Sequence, residues 1–270
     1  MTFQDAYDAL LGRWDVPVEQ LDIAGTRVNA CGPADASPLL LLAGHGATSA
    51  VWFSVAPRLA HQYRVYAPDL PGDAGRSTAT PPRTVDDLTS WLTGVLDALG
   101  IDRAALGGHS YGAWIALTYT LTHPDRVSRL ALIDPTDCYL GLRLPYILRA
   151  LPSLLRPSRQ RTTSFLRWET QGLPVDSQWL ELAGLAAEQP STSFVRTKRP
   201  TDDELRNLRP APLVVVAGRS RSQNPDKLTQ RVTTLSPAAT VVRLETATHH
   251  SLPSLHADEV LPALTKHFSS

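Results

Sequence analysis

The chain has 270 residues, 43% of them hydrophobic, so it can bury a large core without disulfide support. Lysine and arginine total 26, and so do aspartate and glutamate, so the formal net charge is zero. This balance gives no electrostatic reason to expect nucleic acid, an anionic membrane or a polyanionic substrate as a partner. The longest apolar run, near residues 39–43, is too short to span a bilayer.

The cysteines and the N-terminal segment indicate in which cellular compartment the protein is expected. The two cysteines, Cys31 and Cys138, form neither a disulfide framework nor a metal-ligand cluster. The first 15 residues are acidic and amphipathic, and they lack the basic segment and apolar core of a secretory signal. We therefore expect a soluble cytoplasmic protein of one domain with an insertion. No feature of the sequence predicts an oligomeric state.

Short apolar and branched runs alternate with longer helical patterns, which is typical of a parallel sheet with crossover helices. The first two runs are parted by Ala24-Gly25-Thr26 and predict a hairpin. The later runs are almost wholly apolar, as expected of strands covered on both faces. The predicted strands span 19–23, 27–31, 39–43, 64–67, 104–107, 129–133, 213–217 and 240–244. The sequence thus predicts an α/β protein with eight strands.

Three helices are predicted between and after these strands, over 85–100, 111–123 and 257–268. Thr84 and Asp87 have the spacing of a capping box before the first of them. Gly100 is expected to end that helix, and Pro124 closes the second.

A long segment without a predicted strand separates residues 133 and 213. Its text LGLRLPYILRALPSLLRPSRQ is apolar, helical and broken by prolines, and Trp168 and Trp179 follow. Because it is too long for a plain loop, we expect a helical lid over 138–209, inserted into a core formed by 1–137 and 210–270. The alternative is that the insertion merely covers the edge of the sheet.

The stretch Gly108-His109-Ser110-Tyr111-Gly112 matches the pattern G-x-S-x-G and lies between a predicted strand and a predicted helix. A nucleophile on so tight a turn adopts a strained backbone, and side chains on the flanking glycines would collide with the strand and the helix. The helix N-terminus and the amide of Tyr111 would stabilise an oxyanion there. Ser110 is the predicted nucleophile; an incidental serine in a glycine-rich turn is the alternative.

With this motif in place, the sequence resembles the α/β-hydrolase fold family over nearly the whole chain outside the insertion. The other matching stretches are LLLLAGHGATSAVW, RVYAPDLPGDAGRS, RLALIDP, PLVVVAG and ATHHSLP, in that order. The resemblance implies a doubly wound, mostly parallel sheet of eight strands with a first strand running antiparallel. It also implies a serine, an acid and a histidine in that order along the chain. A serine at this turn between strand and helix, the nucleophile elbow, argues against the dehalogenase members, which have aspartate there.

A serine needs a base within hydrogen-bond reach to act as a nucleophile at neutral pH. His249 and His250 follow the last predicted strand, where the family places its catalytic histidine. Aligning ETATHHSLP with the small residues that usually precede that histidine favours His249. His250, in the next position, is the alternative, and a pair of structural surface histidines is a further one.

The second oxyanion donor follows the third strand in the family. The family often has His-Gly directly after that strand, whereas this chain has Ala43-Gly44-His45-Gly46. Counting back from Trp52 aligns the pair with Ala43-Gly44, so the backbone amide of His45 would act beside that of Tyr111. A register two residues later would make Ala47 the donor.

The acid is less clearly marked. The family's usual position after the seventh strand has Gly218-Arg219-Ser220-Arg221-Ser222, without a carboxylate. Some members carry the acid directly after the sixth strand, where Asp134 lies, and we predict Asp134. Asp226 and Asp137 are alternatives, as is a serine and histidine pair without an acid.

These residues predict a serine hydrolase that cleaves an ester, thioester or lactone of a small apolar acyl substrate, without a cofactor or metal. An acyltransferase or cyclase could use the same nucleophile. A retired site that only binds a ligand is the third hypothesis, since the usual acid is missing.

Overall fold

The computed structural model describes residues 1–190 and 194–269. Within these ranges eight strands form one sheet. They are β1 (Val18–Ile23), β2 (Thr26–Cys31), β3 (Ser37–Leu42), β4 (Tyr63–Pro68), β5 (Ala104–His109), β6 (Val127–Ile133), β7 (Leu213–Ala217) and β8 (Thr240–Leu244). Their order in the sheet is β1-β2-β4-β3-β5-β6-β7-β8. The predicted strands are confirmed, with ends that differ by at most two residues.

The direction of one strand differs from the expectation. β1 and β2 form the predicted antiparallel hairpin, in which Ala24 and Gly25 turn the chain with φ of 49° and 81°. β2 also pairs antiparallel with β4, whereas the pairs from β4 through β3, β5, β6 and β7 to β8 are parallel. The expectation that the first strand is the reversed one is therefore wrong. Because the hairpin reverses the chain once, β2 alone runs against the other strands.

Ten α-helices lie in the described residues. They are α1 (Phe3–Leu11), α2 (Ala56–Leu59), α3 (Val85–Ala98), α4 (Tyr111–Thr122), α5 (Leu144–Leu155), α6 (Arg159–Glu169), α7 (Ser177–Ala186), α8 (Asp202–Arg206), α9 (Pro225–Leu235) and α10 (Ala257–Ser269). The predicted helices correspond to α3, α4 and α10. The capping box is present: the Thr84 hydroxyl accepts from the Asp87 amide at 3.1 Å, and the Asp87 carboxylate accepts from the Thr84 amide at 3.0 Å.

The segment between β6 and β7 contains α5 to α8, and its described residues form no strand. The helical character expected of this insertion is thus present. α6 packs on α7, and α7 packs on α1 at the N-terminus. The limits 138 and 209 for a separate lid stay a prediction.

Helices cover both faces of the sheet, as the alternation along β3 illustrates. Leu39 and Leu41 point into a core layer with Trp52 of the segment after β3, while Leu40 and Leu42 point into the opposite layer with Trp114 of α4. All four leucines are fully buried. A strand that is apolar at successive positions is stable only between two such layers. This arrangement leaves the ends of the strands as the places where polar side chains gather.

A buried carboxylate fixes the segment that follows β3. Asp69, at the end of β4, accepts hydrogen bonds from the amide and the hydroxyl of Ser49, both at 2.7 Å, and from the Tyr7 hydroxyl at 3.0 Å. Burial raises the pKa of Asp69 above its usual value. These bonds join α1, the segment after β3 and the end of β4 beside the site described below.

The junction of β5 and α4 has no room for side chains on its glycines. A Cβ at Gly108 would lie 2.3 Å from the carbonyl oxygen of Gly112. A Cβ at Gly112 would lie 2.2 Å from the carbonyl oxygen of Leu42, at the end of β3. Backbone atoms cannot move aside as a flexible side chain can, so the close approach of α4 to β3 requires glycine at these positions.

We predict that Gly112→Ala lowers the free energy of unfolding by about 3 kcal/mol, because it forces α4 away from β3. Chemical denaturation measures this loss. Gly94→Ala in α3 is the matched control, since a Cβ there meets no atom within 4 Å. It should leave stability unchanged or raise it by up to about 1 kcal/mol. Equal stability of Gly112→Ala and the wild type would contradict the close approach.

Candidate active site

Ser110 lies on the turn between β5 and α4 with a strained backbone. Its φ of 55° and ψ of −116° are rarely adopted by a residue with a side chain. The Ser110 amide donates to the carbonyl of Ile133 at the end of β6, at 3.1 Å. This bond holds the turn beside the end of the neighbouring strand. The strain and the position are those predicted from the G-x-S-x-G pattern.

His249 follows β8 and reaches Ser110. Its side chain is almost wholly buried, and Nε2 lies 2.9 Å from Ser110 Oγ. Nδ1 lies 2.6 Å from Oδ2 of Asp134 and donates its proton to that carboxylate. In the neutral imidazole, a proton on Nδ1 leaves Nε2 as an acceptor for the serine hydroxyl.

His250, the alternative base, faces a different partner. Its Nε2 lies 3.2 Å from the hydroxyl of Tyr146 in α5. Burial lowers the pKa of His250 well below its usual value, and nearby imidazoles add to this effect. Burial raises the pKa of the Tyr146 phenol, which therefore stays protonated and donates to His250. The structure thus brings His249, and not His250, to Ser110.

Asp134 is the carboxylate at the histidine. It follows β6 directly, with φ of 37°, and is fully buried. Besides His249, it accepts from the amide of Ala217 at 3.1 Å and from the hydroxyl of Ser220 at 2.8 Å. Burial acts to raise the pKa of Asp134, but these hydrogen bonds and the His249 imidazole hold it below its usual value. The group is therefore a carboxylate at neutral pH.

The other two candidate acids lie elsewhere. Asp226 begins α9 in an exposed position and pairs with Arg243 at 2.5 Å. Asp137 accepts from the hydroxyl of Thr197 at 2.7 Å. Ser222, after β7, places its hydroxyl 3.4 Å from His249 Nδ1. The region where the family usually has its acid is thus occupied by serines that surround Asp134.

The segment after β3 lies against Ser110. A Cβ on Gly44 would be 3.2 Å from Cβ of Ser110. The amide of Gly46 donates to Asp73 at 2.9 Å, and the amide of Ala47 donates to Gly44 at 3.1 Å. Within the described part of the chain, neither the amide of His45 nor that of Tyr111 donates a hydrogen bond. This pattern leaves His45 rather than Ala47 with a free backbone donor.

Asp73 holds this segment, a role that sequence reasoning did not find. Its carboxylate lies 2.9 Å from His45 Nδ1, besides accepting from Gly46. Burial opposes protonation of His45, but the Asp73 charge outweighs it and raises the pKa of His45. The ring of Phe194 packs on His45 with centroids 4.4 Å apart. No motif marks the contact, because residues 45 and 73 meet only in the folded chain.

The backbone of His249 is held on both sides. Glu169, at the end of α6, is fully buried and accepts from the amides of His249 at 3.1 Å and His250 at 3.0 Å. His109, beside the nucleophile, donates from Nε2 to the carbonyl of His249 at 2.8 Å. Sequence reasoning missed both residues. The one available signal is that Glu169 ends a stretch without acids that begins after Asp137.

Aromatic side chains of the insertion pack around the two imidazoles. The ring of Tyr146 lies 6.1 Å from that of His249, and Phe165 lies 5.8 Å from His250, both edge to face. Trp168 completes the group at 5.9 Å from Phe165. α5 and α6 thus form an apolar wall beside the serine and histidine pair.

Comparison with known proteins gives the family. A model of the alpha/beta hydrolase family matches residues 39–263. Carboxylesterase YbfK of Bacillus subtilis (strain 168) is 30% identical over 175 residues, which are 63% of this chain and 58% of that protein. An uncharacterized carboxylesterase, nap, of the same organism is 32% identical over 143 residues, 51% of this chain and 48% of that protein. The chain belongs to the alpha/beta hydrolase family.

A solved structure agrees over a longer span. The naproxen esterase (carboxylesterase NP) of Bacillus subtilis superposes with a TM-score of 0.89 at 25% identity, covering 98% of this chain and 96% of that one. In sequence, the chain matches only about half of the length of the curated relatives named above. No helix in the described ranges has the length and apolarity needed to cross a membrane.

We predict that Glu169→Ala loosens the segment that carries His249. The buried amide of His249 and the partly buried amide of His250 lose their acceptor. This loss should cost about 2 kcal/mol of unfolding free energy and speed hydrogen exchange at residues 249 and 250 at least about tenfold. Glu169→Gln, which keeps one carbonyl oxygen, should have an intermediate effect. Exchange measured by mass spectrometry, with the exposed Glu188→Ala as control, tests this. Unchanged exchange in Glu169→Ala would refute the role of Glu169.

We predict that stability falls at acidic pH because His109 stays neutral in the folded protein. Burial lowers the pKa of His109 from 6.5 to about 3. At pH values between these two, the unfolded chain therefore binds a proton at His109 that the folded chain does not. The free energy of unfolding should therefore decrease as pH falls from 6.5, by up to about 1.4 kcal/mol per pH unit for this group. His109→Gln keeps an N–H donor and should flatten the slope.

Chemical denaturation at intervals across that pH window measures the slope. His61→Gln is the control, since His61 is exposed. Parallel slopes for the wild type and His109→Gln would mean that His109 does not stay neutral in the folded protein.

Proposed function

We propose that the protein is a serine hydrolase that cleaves a carboxylic ester, or a related thioester or lactone, through an acyl-Ser110 intermediate. The observation that carries the proposal is the chain of hydrogen bonds from Ser110 through His249 to Asp134, with lengths of 2.9 and 2.6 Å. Nucleophile, base and orienting acid with this mutual geometry define acyl transfer to serine in hydrolases. The relatives named as carboxylesterases support the same reaction.

The first half of the reaction forms the acyl-enzyme. Ser110 Oγ attacks the carbonyl carbon while His249 Nε2 takes the hydroxyl proton. The tetrahedral intermediate collapses, the bond to the leaving oxygen (sulfur in a thioester) breaks, and His249 returns the proton to that atom. In the second half, water adds to the acyl carbon, giving one proton to His249, which passes it to Ser110 Oγ as the acid is released.

The amides of Tyr111 and His45 are the proposed oxyanion donors. The first amides of a helix have no partner within the helix, so that of Tyr111 at the start of α4 is available to a negative oxygen. The contact of Gly44 with Ser110 and the engaged amides of Gly46 and Ala47 favour His45 as the second donor. Both donors are backbone groups, so the side chain of His45 plays no part in the donation.

Asp134 is proposed to orient His249 and to stabilise the imidazolium that forms. Its lowered pKa keeps it negative while His249 carries the proton. The retired binding site was a hypothesis because the usual position of the acid, directly after β7, has no carboxylate. With a carboxylate on His249 Nδ1 that reason no longer applies, and no contact in the described residues favours acyl transfer over hydrolysis.

The proposed substrate carries an apolar acyl group. The rings of Tyr146 and Phe165 pack together, and that of Tyr146 lies against the His249 imidazole, so the part of a substrate next to this imidazole would meet aromatic surface. We therefore propose small, uncharged aryl and alkyl esters as substrates.

We predict that Ser110→Ala and His249→Ala lower kcat/KM for p-nitrophenyl esters on the order of 10⁴-fold, and Asp134→Asn on the order of 10³-fold. The wild type should be labelled by a fluorophosphonate and Ser110→Ala should not. Asp226→Asn and Asp137→Asn are the matched controls and should keep full activity.

Absence of labelling in folded wild-type protein, with no turnover of a panel of esters, would overturn the proposed function. An active Asp134→Asn beside an inactive Asp226→Asn would instead refute only the assignment of the acid.

A further inference from the structure

Helix α5 turns its apolar face to solvent. Large apolar side chains recur at spacings of three and four residues, which places them on one stripe of the helix. Their exposed fractions are Leu144 65%, Ile147 39%, Leu148 58%, Leu151 39%, Leu154 51% and Leu155 71%. The two buried residues of the helix are Tyr146 and Ala150. The face that packs on the protein is thus the smaller and less apolar of the two.

The stripe does not stabilise the fold, because its side chains remain in solvent. Contiguous exposed apolar patches on the surface of a protein mark interaction sites. The other large apolar side chains with comparable exposure in the described residues are Met1, Phe194 and Leu255, which are far apart in the sequence. Of the nine exposed large apolar residues in the described ranges, six therefore lie on one helix of 12 residues, about 18 Å long.

The same part of the chain is strongly basic. Residues 138–168 contain six arginines and neither a lysine nor an acid. They are Arg143, Arg149, Arg156, Arg159, Arg161 and Arg167, and all six are exposed. Arg159 pairs with Glu181, and the other five make no ion pair among the described residues. Because the whole chain is neutral, the remainder carries six more acidic than basic residues. The zero net charge, which gave no reason to expect an anionic membrane, therefore conceals a basic segment.

This charge separation selects the occupant. Two copies meeting symmetrically through α5 would bring arginines against arginines, which is unfavourable. A copy meeting α5 with another part of its surface would find no second apolar stripe in the described residues. A surface that is both negative and apolar satisfies the leucines and the arginines together.

We propose that α5 and its flanking arginines form a docking surface for the negatively charged interface of a lipid bilayer or micelle. The helix lies in the plane of the interface, with the leucine stripe among the acyl chains and the arginines at the anionic headgroups. The docking does not depend on the proposed ester hydrolysis.

Vesicle flotation tests the proposal with the full-length Ser110→Ala variant, so that lipid turnover cannot alter the vesicles. We expect at least tenfold stronger partitioning onto vesicles of phosphatidylcholine mixed with phosphatidylglycerol than onto phosphatidylcholine alone, weakened by added salt. The double variants Leu148→Ser/Leu151→Ser and Arg143→Gln/Arg156→Gln should each reduce partitioning roughly tenfold.

Leu255→Ser and Arg83→Gln, exposed positions outside the insertion, are the matched controls and should bind like their parent. All positions changed in this parent are exposed, and thermal unfolding should confirm that each variant folds. Equal partitioning onto the two kinds of vesicle, no partitioning at all, or equal losses in the controls would overturn the proposal. A dimer in light scattering that only the leucine variant dissociates would assign the stripe to a second copy instead.

Discussion

The contact between backbones at Gly112 and Leu42 is the constraint on which the site depends. Because Gly112 has no Cβ, the start of α4 can approach the end of β3 more closely than any other residue would allow. The chain can enter α4 from β5 only through a tight turn, which leaves Ser110 at a positive φ. The hydroxyl then stands at the carboxyl edge of the sheet, between the segment after β3 and the end of β6. Every other group of the site is arranged around this fixed oxygen.

The position of His249 depends on parts of the chain that are distant in sequence. The elbow supplies His109 to its carbonyl, and the insertion supplies Glu169 to its amide. The insertion therefore does more than shield the sheet edge: it holds the backbone of the proposed base. Tyr146 extends the link, because the same helix that carries the exposed leucines donates to His250. A movement of α5 or α6 would therefore shift the position of the imidazole.

Local patterns predicted much of this arrangement. The strands and the elbow follow from apolar runs and from glycine spacing, which act over a few residues. The acid was left among Asp134, Asp226 and Asp137, because only the folded sheet decides which carboxylate meets His249 Nδ1. Glu169 has no motif, since its partners are amides and amides have no sequence signature. The stripe of α5 shows that periodicity gives an amphipathic helix without telling which face is inside.

The serines around Asp134 have a consequence for how such sites change. β6 and β7 are neighbours in the sheet, so a carboxylate at the end of either strand can approach the same imidazole nitrogen. Here Ser220 and Ser222 take up the space after β7 and donate protons where a second negative charge would repel the first. The strand that carries the carboxylate can therefore differ while the structure around the imidazole stays the same. A lineage could therefore place the acid after either strand without rebuilding the scaffold.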